Sequence, residues 1–599
     1  MVALRSLVKY FRPYRITLVI GLTLVVASSA LASFQPWLLR AALDGLRDAV
    51  PRRQIWTIAA AMVGLAIAGG ALRYFMRELL NGLSRRIEYD LRNDLFLHLT
   101  ALDAPWFARM RTGEIMARLT NDLAAVRMAA GPAIMYLTNT IAGGLFALVF
   151  MISISGRLTA LALAPMVLLP IAMVRFGSAI HDRFEAVQEH FGEMTTRAQE
   201  NLAGARIVRA YRQEHPETDR FGAMNEEYLA RNMRLVKLWG LLNPTFGLLA
   251  GSATVIVLGV GGSLVVRGVI TVGSFVAFTF YLAMLTWPLI SLGWVTNLFQ
   301  RGAASMARLN EILNARPTLA TASPSRTLPP ATDGRSIEFR HVGFHYPAGQ
   351  GEEPRWVLRD VSFRVEAGAT LAVVGATGSG KSALLDLIPR FHDPQEGEIL
   401  IDGEPASAIE PGDLRREIGY VPQESLLFSD TMAANLAYGT VDPESWRGAA
   451  SAAQLDETIA AFPGGADTVL GERGINLSGG QKQRVALARA LARRPAIVLL
   501  DDALSAVDTQ TEAAILGALR GEVSGRTAVI ASHRVSAVRD ATWIIVLDQG
   551  RIAEQGRHQE LISLGGRYWA LLRRQQLVEA IENDAEALAS GDQARTIGA

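Results

Sequence analysis

The residues in this sequence that could do chemistry centre on a glycine-rich stretch, GATGSGKS, at 375–382. An apolar run at 370–374 precedes it and predicts a buried strand, and the residues after it predict a helix that Pro389 closes. A strand, a glycine-rich loop and a helix in this order are the setting of a phosphate-binding loop. Glycines let backbone N–H groups surround an anion, and the helix N-terminus adds partial positive charge at the same point.

Two side chains at the end of this loop extend the prediction from a phosphate to ATP with Mg²⁺. Lys381 can reach the β- and γ-phosphates, and the hydroxyl of Ser382 can ligate the metal. The alternative is an ordinary glycine turn before a helix. Under that alternative, the match of every motif position to a phosphate-binding loop would be a coincidence. The residues expected to contact the nucleotide here are Gly375, Ala376, Thr377, Gly378, Ser379, Gly380, Lys381 and Ser382.

Two stretches further along the chain fit the same chemistry. The apolar run 497–500 predicts a buried strand that delivers Asp501, whose carboxylate can hold the Mg²⁺ shell through water. Alone that pattern is weak, because many strands end in Asp, and it gains weight from the phosphate loop upstream. The stretch LSGGQ at 477–481 precedes a predicted helix and is a second anion-binding device at a helix N-terminus.

The composition divides this chain of 599 residues into two halves. Long apolar runs occur in the first half, whereas the second half is typical of a soluble α/β domain. The net charge of +2 says little about partners, and the absence of Cys excludes disulfides and thiolate metal sites. Apolar runs long enough to span a bilayer lie at about 16–39, 55–72, 131–154, 158–176, 241–266 and 275–297. Six such runs argue against a globular core and predict a six-helix membrane domain.

The first residues predict a short helix that lies in the membrane interface. Apolar residues within 4–11 recur at i, i+3, i+4 and i+7 with basic residues between them, and Pro13 ends this helix, expected at 4–13. A cleaved signal peptide is the competing interpretation, because Ala-Leu-Ala at 30–32 resembles a cleavage site. The apolar run is longer than a typical signal segment and continues past that site, which favours a membrane span.

Basic residues predict which side of the membrane each segment occupies. Eight Arg lie within 77–131, and nine Arg with one Lys lie within 175–240, whereas most other connections carry few. We therefore expect these two segments, the N-terminus and the C-terminal domain in the cytoplasm, and the chain in the cytoplasmic membrane. Both segments predict helices that extend out of the bilayer, with breaks near Pro105 and Pro216 where short cross-helices could contact the soluble domain.

Changes of composition also predict the domain boundaries. A transmembrane domain at 1–315 is followed by a linker at 316–335 that is rich in Pro, Ala, Ser and Thr. A nucleotide-binding domain is expected at 336–576. The Ala-rich and acidic tail at 577–599 is expected to be flexible.

With these motifs, the second half of the chain resembles the nucleotide-binding domain of an ATP-binding cassette (ABC) transporter. The features that carry the resemblance are the phosphate loop, Asp501 and LSGGQ in this order. The whole chain, over about 1–576, resembles an ABC exporter half-transporter. This resemblance implies a multi-domain membrane protein in which a six-helix all-α transmembrane domain is followed by an α/β P-loop ABC ATPase domain.

The resemblance also implies roles for residues outside the phosphate loop. Tyr346 would stack on adenine, although an exposed tyrosine at a strand edge is the alternative. Gln423 would sense Mg²⁺ and contact the membrane domain, His533 would contact the γ-phosphate, and Asp508 would lie in a loop that crosses a dimer interface. The signature residues that would meet the γ-phosphate bound to a partner subunit are Ser478, Gly479, Gly480 and Gln481. ATP would then join two subunits, and its hydrolysis would loosen their contact.

One position departs from the family pattern. The residue after the Mg²⁺ aspartate is usually a Glu that acts on the attacking water, and here it is Asp502. Asp is one methylene shorter, so its carboxylate falls back by about 1–1.5 Å, and a misplacement of this size can cost about 100-fold in rate. The motif is similar to that of bacterial heterodimeric multidrug exporters, and we expect a degenerate site in a heterodimer. The alternative is a backbone adjustment that leaves Asp502 a working base.

The expected function is ATP-driven export of hydrophobic or amphipathic compounds such as drugs, lipids or peptides. The spans show no ring of charge that would indicate an ion or sugar-phosphate pathway. The expected partners are a second half-transporter, the lipid bilayer and the substrate. A homodimeric lipid or drug flippase, an ATP-gated channel and a regulatory subunit stay open as alternatives. Six spans argue against an ATPase that acts on nucleic acid.

Overall fold

A computed structural model describes residues 2–319, 326–329, 331, 333–347, 353–442, 444–471, 474–507, 509–522, 524–535 and 538–577. The chain divides into two compact units. The first contains Met1–Ala101 and Met110–Ala315, and the second contains Leu102–Arg109 and the chain from Arg316 onward. Most of the predicted tail, 578–599, and part of the predicted linker, 320–325, lie outside the described residues.

Six helices in the described part of the chain are long and apolar enough to cross a membrane. They are α1 (Ala3–Arg47), α2 (Arg52–Ala101), α3 (Thr112–Ile154), α4 (Gly156–Ala203), α5 (Glu214–Val266) and α6 (Val272–Leu313). Each apolar run continues into a polar helical extension, and α2 alone has 50 residues. At about 1.5 Å per residue these helices are far longer than a bilayer requires.

The N-terminal segment changes its helical form at Pro13. A short α-helical stretch, Val8–Phe11, ends at a 3-10 turn, Arg12–Tyr14, that contains Pro13, and the rest of α1 is α-helical from Arg15 onward. The turn is held to α2, because the hydroxyl of Tyr10 donates to Asp94 at 2.8 Å and that of Tyr14 donates to Asp90 at 3.0 Å. These hydrogen bonds hold the chain on both sides of Pro13 against α2.

Small residues set how closely the helices of the first unit approach. A Cβ added at Gly131 of α3 would lie 2.5 Å from the Cβ of Ser84 on α2. A Cβ added at Gly302 of α6 would lie 2.3 Å from the Cβ of Ala129 on α3. Real Cβ atoms do not approach this closely, so both crossings require glycine.

We expect Gly302→Ala to lower the Tm of the purified chain. The added methyl overlaps Ala129, so α6 and α3 must separate, and overpacking of this kind costs about 1–3 kcal/mol. Gly64→Ala on α2 is the matched control, because a Cβ there meets no atom within 4 Å. Combining Gly302→Ala with Ala129→Gly moves the methyl to the other helix and should recover the Tm. A single Gly302→Ala variant that melts like the parent chain in a thermal unfolding assay contradicts the crossing described here.

The second unit is built on two sheets. The first is antiparallel in the order β2-β1-β4-β5, with β1 Ile337–His345, β2 Trp356–Val365, β4 Glu396–Ile401 and β5 Glu404–Pro405. The second has the order β10-β9-β3-β8-β7-β6, with β3 Thr370–Val374, β6 Ile418–Val421, β7 Ile497–Asp501, β8 Thr527–Ser532, β9 Trp543–Asp548 and β10 Arg551–Gly556. Only β10 is antiparallel to its neighbour in this sheet.

The central strands of the larger sheet are buried, as their continuous apolar sequences predict. Helices α7 (Lys381–Leu387) and α8 (Gly479–Ala492) follow the two anion-binding motifs. The other described helices of this unit are Ala104–Arg109, Pro411–Arg416, Met432–Leu436, Trp446–Ala452, Asp456–Ala460, Thr509–Glu522 and His558–Leu564. In an open parallel sheet, ligands bind beyond the carboxyl ends of the strands.

Candidate nucleotide site

Four parallel strands bring predicted site residues to one edge of the larger sheet. The phosphate loop leaves β3 at the level where β8 ends, directly before His533. The neighbouring strand β7 ends at Asp501, and Gln423 lies just beyond the end of β6. Residues that are more than 150 positions apart in the sequence therefore meet at a single edge.

The phosphate loop has the backbone that its glycines predict. Gly380 has a φ of 104°, a conformation that L side chains rarely adopt, and it directly precedes α7. A Cβ at Gly375 would lie 2.3 Å from the carbonyl oxygen of Leu547 on β9. Lys381 is 7% exposed, and its ammonium donates to the carbonyl oxygens of Gly375 at 3.0 Å and Ala376 at 3.1 Å. The loop thus surrounds its own lysine and holds a compact positive charge at the phosphate position.

The rest of the loop contains both exposed and buried residues. Ala376, Thr377 and Gly378 are exposed, whereas Ser379 is buried. The Ser379 hydroxyl has no hydrogen-bond partner among the described residues. A buried polar group without a partner is costly, so this hydroxyl is suited to a ligand that enters the loop.

Oxygen donors suited to a hard cation adjoin the loop. Ser382 donates a hydrogen bond to Asp501, which is 2% exposed. One carboxylate oxygen of Asp501 is buried and has no partner within the described chain. Burial raises the pKa of Asp501, the neighbouring Asp502 carboxylate raises it further, and Ser382 and Lys381 only partly offset them. A divalent cation would relieve this cost, so the donor set fits Mg²⁺.

Asp502 is engaged by another predicted site residue. One of its carboxylate oxygens accepts the backbone N–H of His533 at 3.0 Å and lies 2.9 Å from the ring Nδ1 of the same histidine. Its φ of 44° is unusual for a residue other than glycine. The short carboxylate therefore positions His533, whose side chain is 48% exposed towards the edge of the sheet.

Two other predicted residues remain accessible at this site. Tyr346 is 42% exposed and meets the rings of Phe344 and His392 edge to face, at centroid distances of 4.9 and 5.3 Å. These neighbours fix the ring and leave part of its surface free for stacking. Gln423 is exposed, and its side-chain amide makes no hydrogen bond within the described residues.

The signature residues form a preorganised helix start that is not hydrogen-bonded to the phosphate loop among the described residues. The Ser478 hydroxyl accepts the backbone N–H of Gln481 at 3.3 Å, and the Gln481 side chain accepts the backbone N–H of Ser478 at 2.9 Å. This capping box leaves the N-terminus of α8 ordered, with Ser478 and Gly479 exposed and Gly480 partly exposed. No hydrogen bond joins 478–481 to 375–382 in the described structure. Asp508 lies outside the described residues.

Gln483, which the sequence reasoning missed, links α8 to the loop around Asp502. It is 6% exposed and donates to the Ser505 hydroxyl at 3.0 Å and, more weakly, to the carbonyl oxygen of Asp502 at 3.4 Å. Its own amide oxygen accepts the N–H of Ala506 at 3.0 Å. The signal that could have revealed it is an amide on the apolar face of α8, where a buried polar group needs partners.

Known proteins with similar sequences show which family has this arrangement of domains. The family model "ABC transporter transmembrane region" matches residues 18–289, and the model "ABC transporter" matches residues 358–505. The probable multidrug resistance ABC transporter ATP-binding/permease protein YheI of Bacillus subtilis is 37% identical, over 98% of this chain and 99% of its own length. The chain belongs to the ABC transporter family.

Further similarities agree with this assignment. The multidrug resistance-like ATP-binding protein MdlA of Escherichia coli is 36% identical over 94% of this ABC transporter and 95% of its own length. An ATP-dependent lipid A-core flippase of Syntrophus aciditrophicus is 33% identical over 95% of this chain and 93% of its own length. A solved bacterial Atm1-family ABC exporter with ATP bound has a TM-score of 0.75 and 29% identity, covering 94% of this chain and 98% of that chain.

The predicted fold class and enzyme class are confirmed. The ABC transporter is a multi-pass membrane protein with six candidate membrane helices followed by a nucleotide-binding domain. This domain binds ATP, and its ATPase activity is coupled to transport. The similar exporters also support export as the direction of transport.

A short helix from the membrane half belongs to the same compact unit as the ATPase domain. This helix, Ala104–Arg109, follows directly after α2 in the chain. Asp103 is 8% exposed, and its carboxylate accepts the backbone N–H and hydroxyl of Thr318 and the N–H of Leu319. These hydrogen bonds attach the short helix to the start of the chain segment that enters the ATPase domain.

Proposed function

We propose that this ABC transporter is one half of a heterodimeric exporter of hydrophobic or amphipathic compounds, and that its own nucleotide site hydrolyses ATP slowly. The observation that carries the proposal is Asp502, a short carboxylate already engaged with His533. A carboxylate that falls back by about 1 Å and accepts two hydrogen bonds is a poor general base for water. The intact signature residues at 478–481 would complete the partner's site instead.

Exposed groups support the need for a second half-transporter. The N-terminus of α8 faces solvent and has no anion-binding partner within the described chain. Leu202, Ile207 and Tyr211 lie beyond the apolar part of α4 and are 78%, 65% and 73% exposed. Lipid does not cover residues outside the bilayer, so a protein partner is the surface that would bury them.

The site residues that we propose to hold Mg²⁺ are Ser382, Asp501 and Gln423. A hydroxyl, a carboxylate and an amide oxygen are the donors that Mg²⁺ prefers. When bound, the ion would offset the negative charge of the phosphate groups. Lys381 and the backbone N–H groups of the loop would orient the triphosphate, Tyr346 would stack on the base, and His533 would approach the γ-phosphate.

The names of the similar proteins support the proposed class of substrate. YheI and MdlA are described as multidrug resistance or multidrug resistance-like proteins, and other similar proteins are described as lipid A-core flippases. Drugs and lipids share an apolar or amphipathic character. We place the transporter in the cytoplasmic membrane with the N-terminus and the ATPase domain in the cytoplasm, because Arg is concentrated in 77–131 and 175–240.

We expect Asp502→Glu to raise the ATP turnover of the purified chain by at least about tenfold, because the longer side chain restores the reach to water. Turnover is measured as phosphate release in lipid nanodiscs, with Asp502→Asn as the control that should stay at the parent rate or below. If the parent chain alone hydrolyses ATP as fast as a complete exporter, the heterodimer proposal is wrong and Asp502 is a working base in a homodimer. Electrical conductance gated by ATP would instead support a channel.

A further inference from the structure

Helix α2 carries two arginines whose depth is set by its contacts with α1. A Cβ at Gly21 of α1 would lie 2.6 Å from the Leu80 side chain of α2, and the Ser28 hydroxyl lies 3.9 Å from the Met76 sulfur. Arg77 therefore lies level with the stretch between Gly21 and Ser28. Arg73 lies one turn further along α2, away from the cytoplasmic extension of the helix.

This level is inside the membrane. The uncharged run of α1 extends over 16–39, so 21–28 lies in its interior. Contacts with α3 support the same depth for Arg77. The apolar run of α3 begins at Gly131, which lies against Ser84 of α2. Ser84 is nearer the cytoplasm than Arg77, so Arg77 lies deeper in the membrane than the start of that run. The apolar run of α2 ends at 72, but the helix continues within the bilayer.

These arginines have no counter-ion in the described chain. Arg73 and Arg77 are exposed and form no ion pair with a described residue. Glu78 is the one acidic residue that the described spans contain at this depth, and it is exposed and not paired with either arginine. Arginine stays protonated in proteins, so it cannot escape the cost of burial by losing its charge. An unpaired arginine at this depth has to face a water-filled cavity or an anion.

The surface around the arginines is concave and rich in hydrogen-bond donors. A groove of about 490 Å³ along α2 is lined by residues of this helix alone, among them Arg73, Arg77 and Arg85, with Glu78 as the one acidic side chain in its lining. Arg73 and Arg77 are one helical turn apart and lie on the same side of α2. Two guanidinium groups at this spacing can both bind one phosphate or carboxylate, each with paired N–H donors.

We propose that Arg73 and Arg77 bind the anionic headgroup of an amphiphilic substrate, a phosphate or carboxylate joined to an apolar tail. The proposal rests on the export function proposed above and narrows its substrate class to anionic amphiphiles. The apolar tail remains among the uncharged faces of the neighbouring helices while the headgroup stays in the hydrated groove. A cationic drug would be repelled by the same residues.

Binding to the full chain in a neutral detergent, without nucleotide, tests this site. Dodecyl phosphate, dodecyltrimethylammonium and inorganic phosphate are titrated separately and followed by isothermal calorimetry. We expect dodecyl phosphate to bind, the cation to bind at least tenfold more weakly, and inorganic phosphate to bind at most at the phosphate loop, in a step that Lys381→Met removes. Equal binding of dodecyl phosphate and the cation, or binding of inorganic phosphate alone, overturns the proposal.

Variants assign the binding to the arginines. The double variant Arg73→Gln with Arg77→Gln should weaken dodecyl phosphate binding at least tenfold, and the corresponding double Lys variant should weaken it less. Arg92→Gln on the cytoplasmic extension of α2, where Arg92 pairs with Glu88, is the matched control and should bind as the parent does. If either double variant binds dodecyl phosphate as tightly as the parent and the Arg92→Gln control do, the proposed site is wrong. The assay uses no ATP, so its failure is distinguishable from a failure of the heterodimer proposal.

Discussion

Ser478→Arg is expected to reduce ATP turnover of the assembled heterodimer at least about 100-fold, whereas Lys381→Met in the same chain should reduce it less than about threefold. Removing a preorganised anion-binding group from a catalytic site costs about 10²–10³ in rate. In the proposed arrangement Ser478 and the N-terminus of α8 complete the competent site of the partner, while Lys381 belongs to the slow site. The two substitutions therefore act on different sites although both lie in one polypeptide.

The control for this asymmetry is Ser563→Arg. Ser563 is an exposed serine on the helix His558–Leu564 of the same unit and is not one of the nucleotide-site residues. It should leave turnover unchanged, which separates loss of the signature contact from a general effect of the new charge. Phosphate release is measured on the copurified complex. Equal losses from Ser478→Arg and Lys381→Met would show two equivalent sites and contradict a heterodimer with one degenerate site.

Asp103→Ala is expected to abolish most substrate transport while basal ATP turnover changes less than about twofold. The carboxylate is nearly buried and accepts three hydrogen bonds from Thr318 and Leu319. Hydrogen bonds to a charged group contribute about 1.5–3 kcal/mol each, so their loss frees the short helix Ala104–Arg109 from the chain that enters the ATPase domain. The nucleotide residues are untouched by this change.

Transport into inverted vesicles and phosphate release, measured on the same preparation, check this separation. Asp103→Asn is the conservative comparison and should retain part of the coupling, because its amide oxygen still accepts a hydrogen bond. Although burial opposes it, the hydrogen bonds from Thr318 and Leu319 hold the pKa of Asp103 below its usual range. Their stabilisation is therefore complete above the unfolded pKa, about 4, and is lost as the pH falls through the lower folded value. Transport that survives Asp103→Ala with unchanged coupling would contradict this role.

Much of the nucleotide site could be predicted because its parts are short and continuous in the sequence. The phosphate loop at 375–382 carries its glycines, lysine and serine in one stretch, and the flanking strand and helix have distinct patterns. Such a motif depends on local backbone geometry, which the local residues determine. The same reason allowed the N-terminus of α8 to be predicted from LSGGQ.

The membrane half was predictable in outline for a different reason. A helix is the only way for a single apolar segment to satisfy its backbone in lipid, so hydropathy identifies the spans. Hydropathy does not identify where a long helix leaves the bilayer. The depth of Arg73 and Arg77 follows from the pairing of α2 with α1 and α3, which composition does not encode.

The motifs and apolar runs of this sequence were enough to predict six membrane helices, an ATP-binding domain and a resemblance to ABC transporters. Three contacts became known from the folded chain: Asp502 with His533, Gln483 with the loop around Asp502, and Asp103 with Thr318. Each of these contacts joins residues from separate elements. Their formation depends on sheet register and helix packing, and neither can be read from the spacing of a motif.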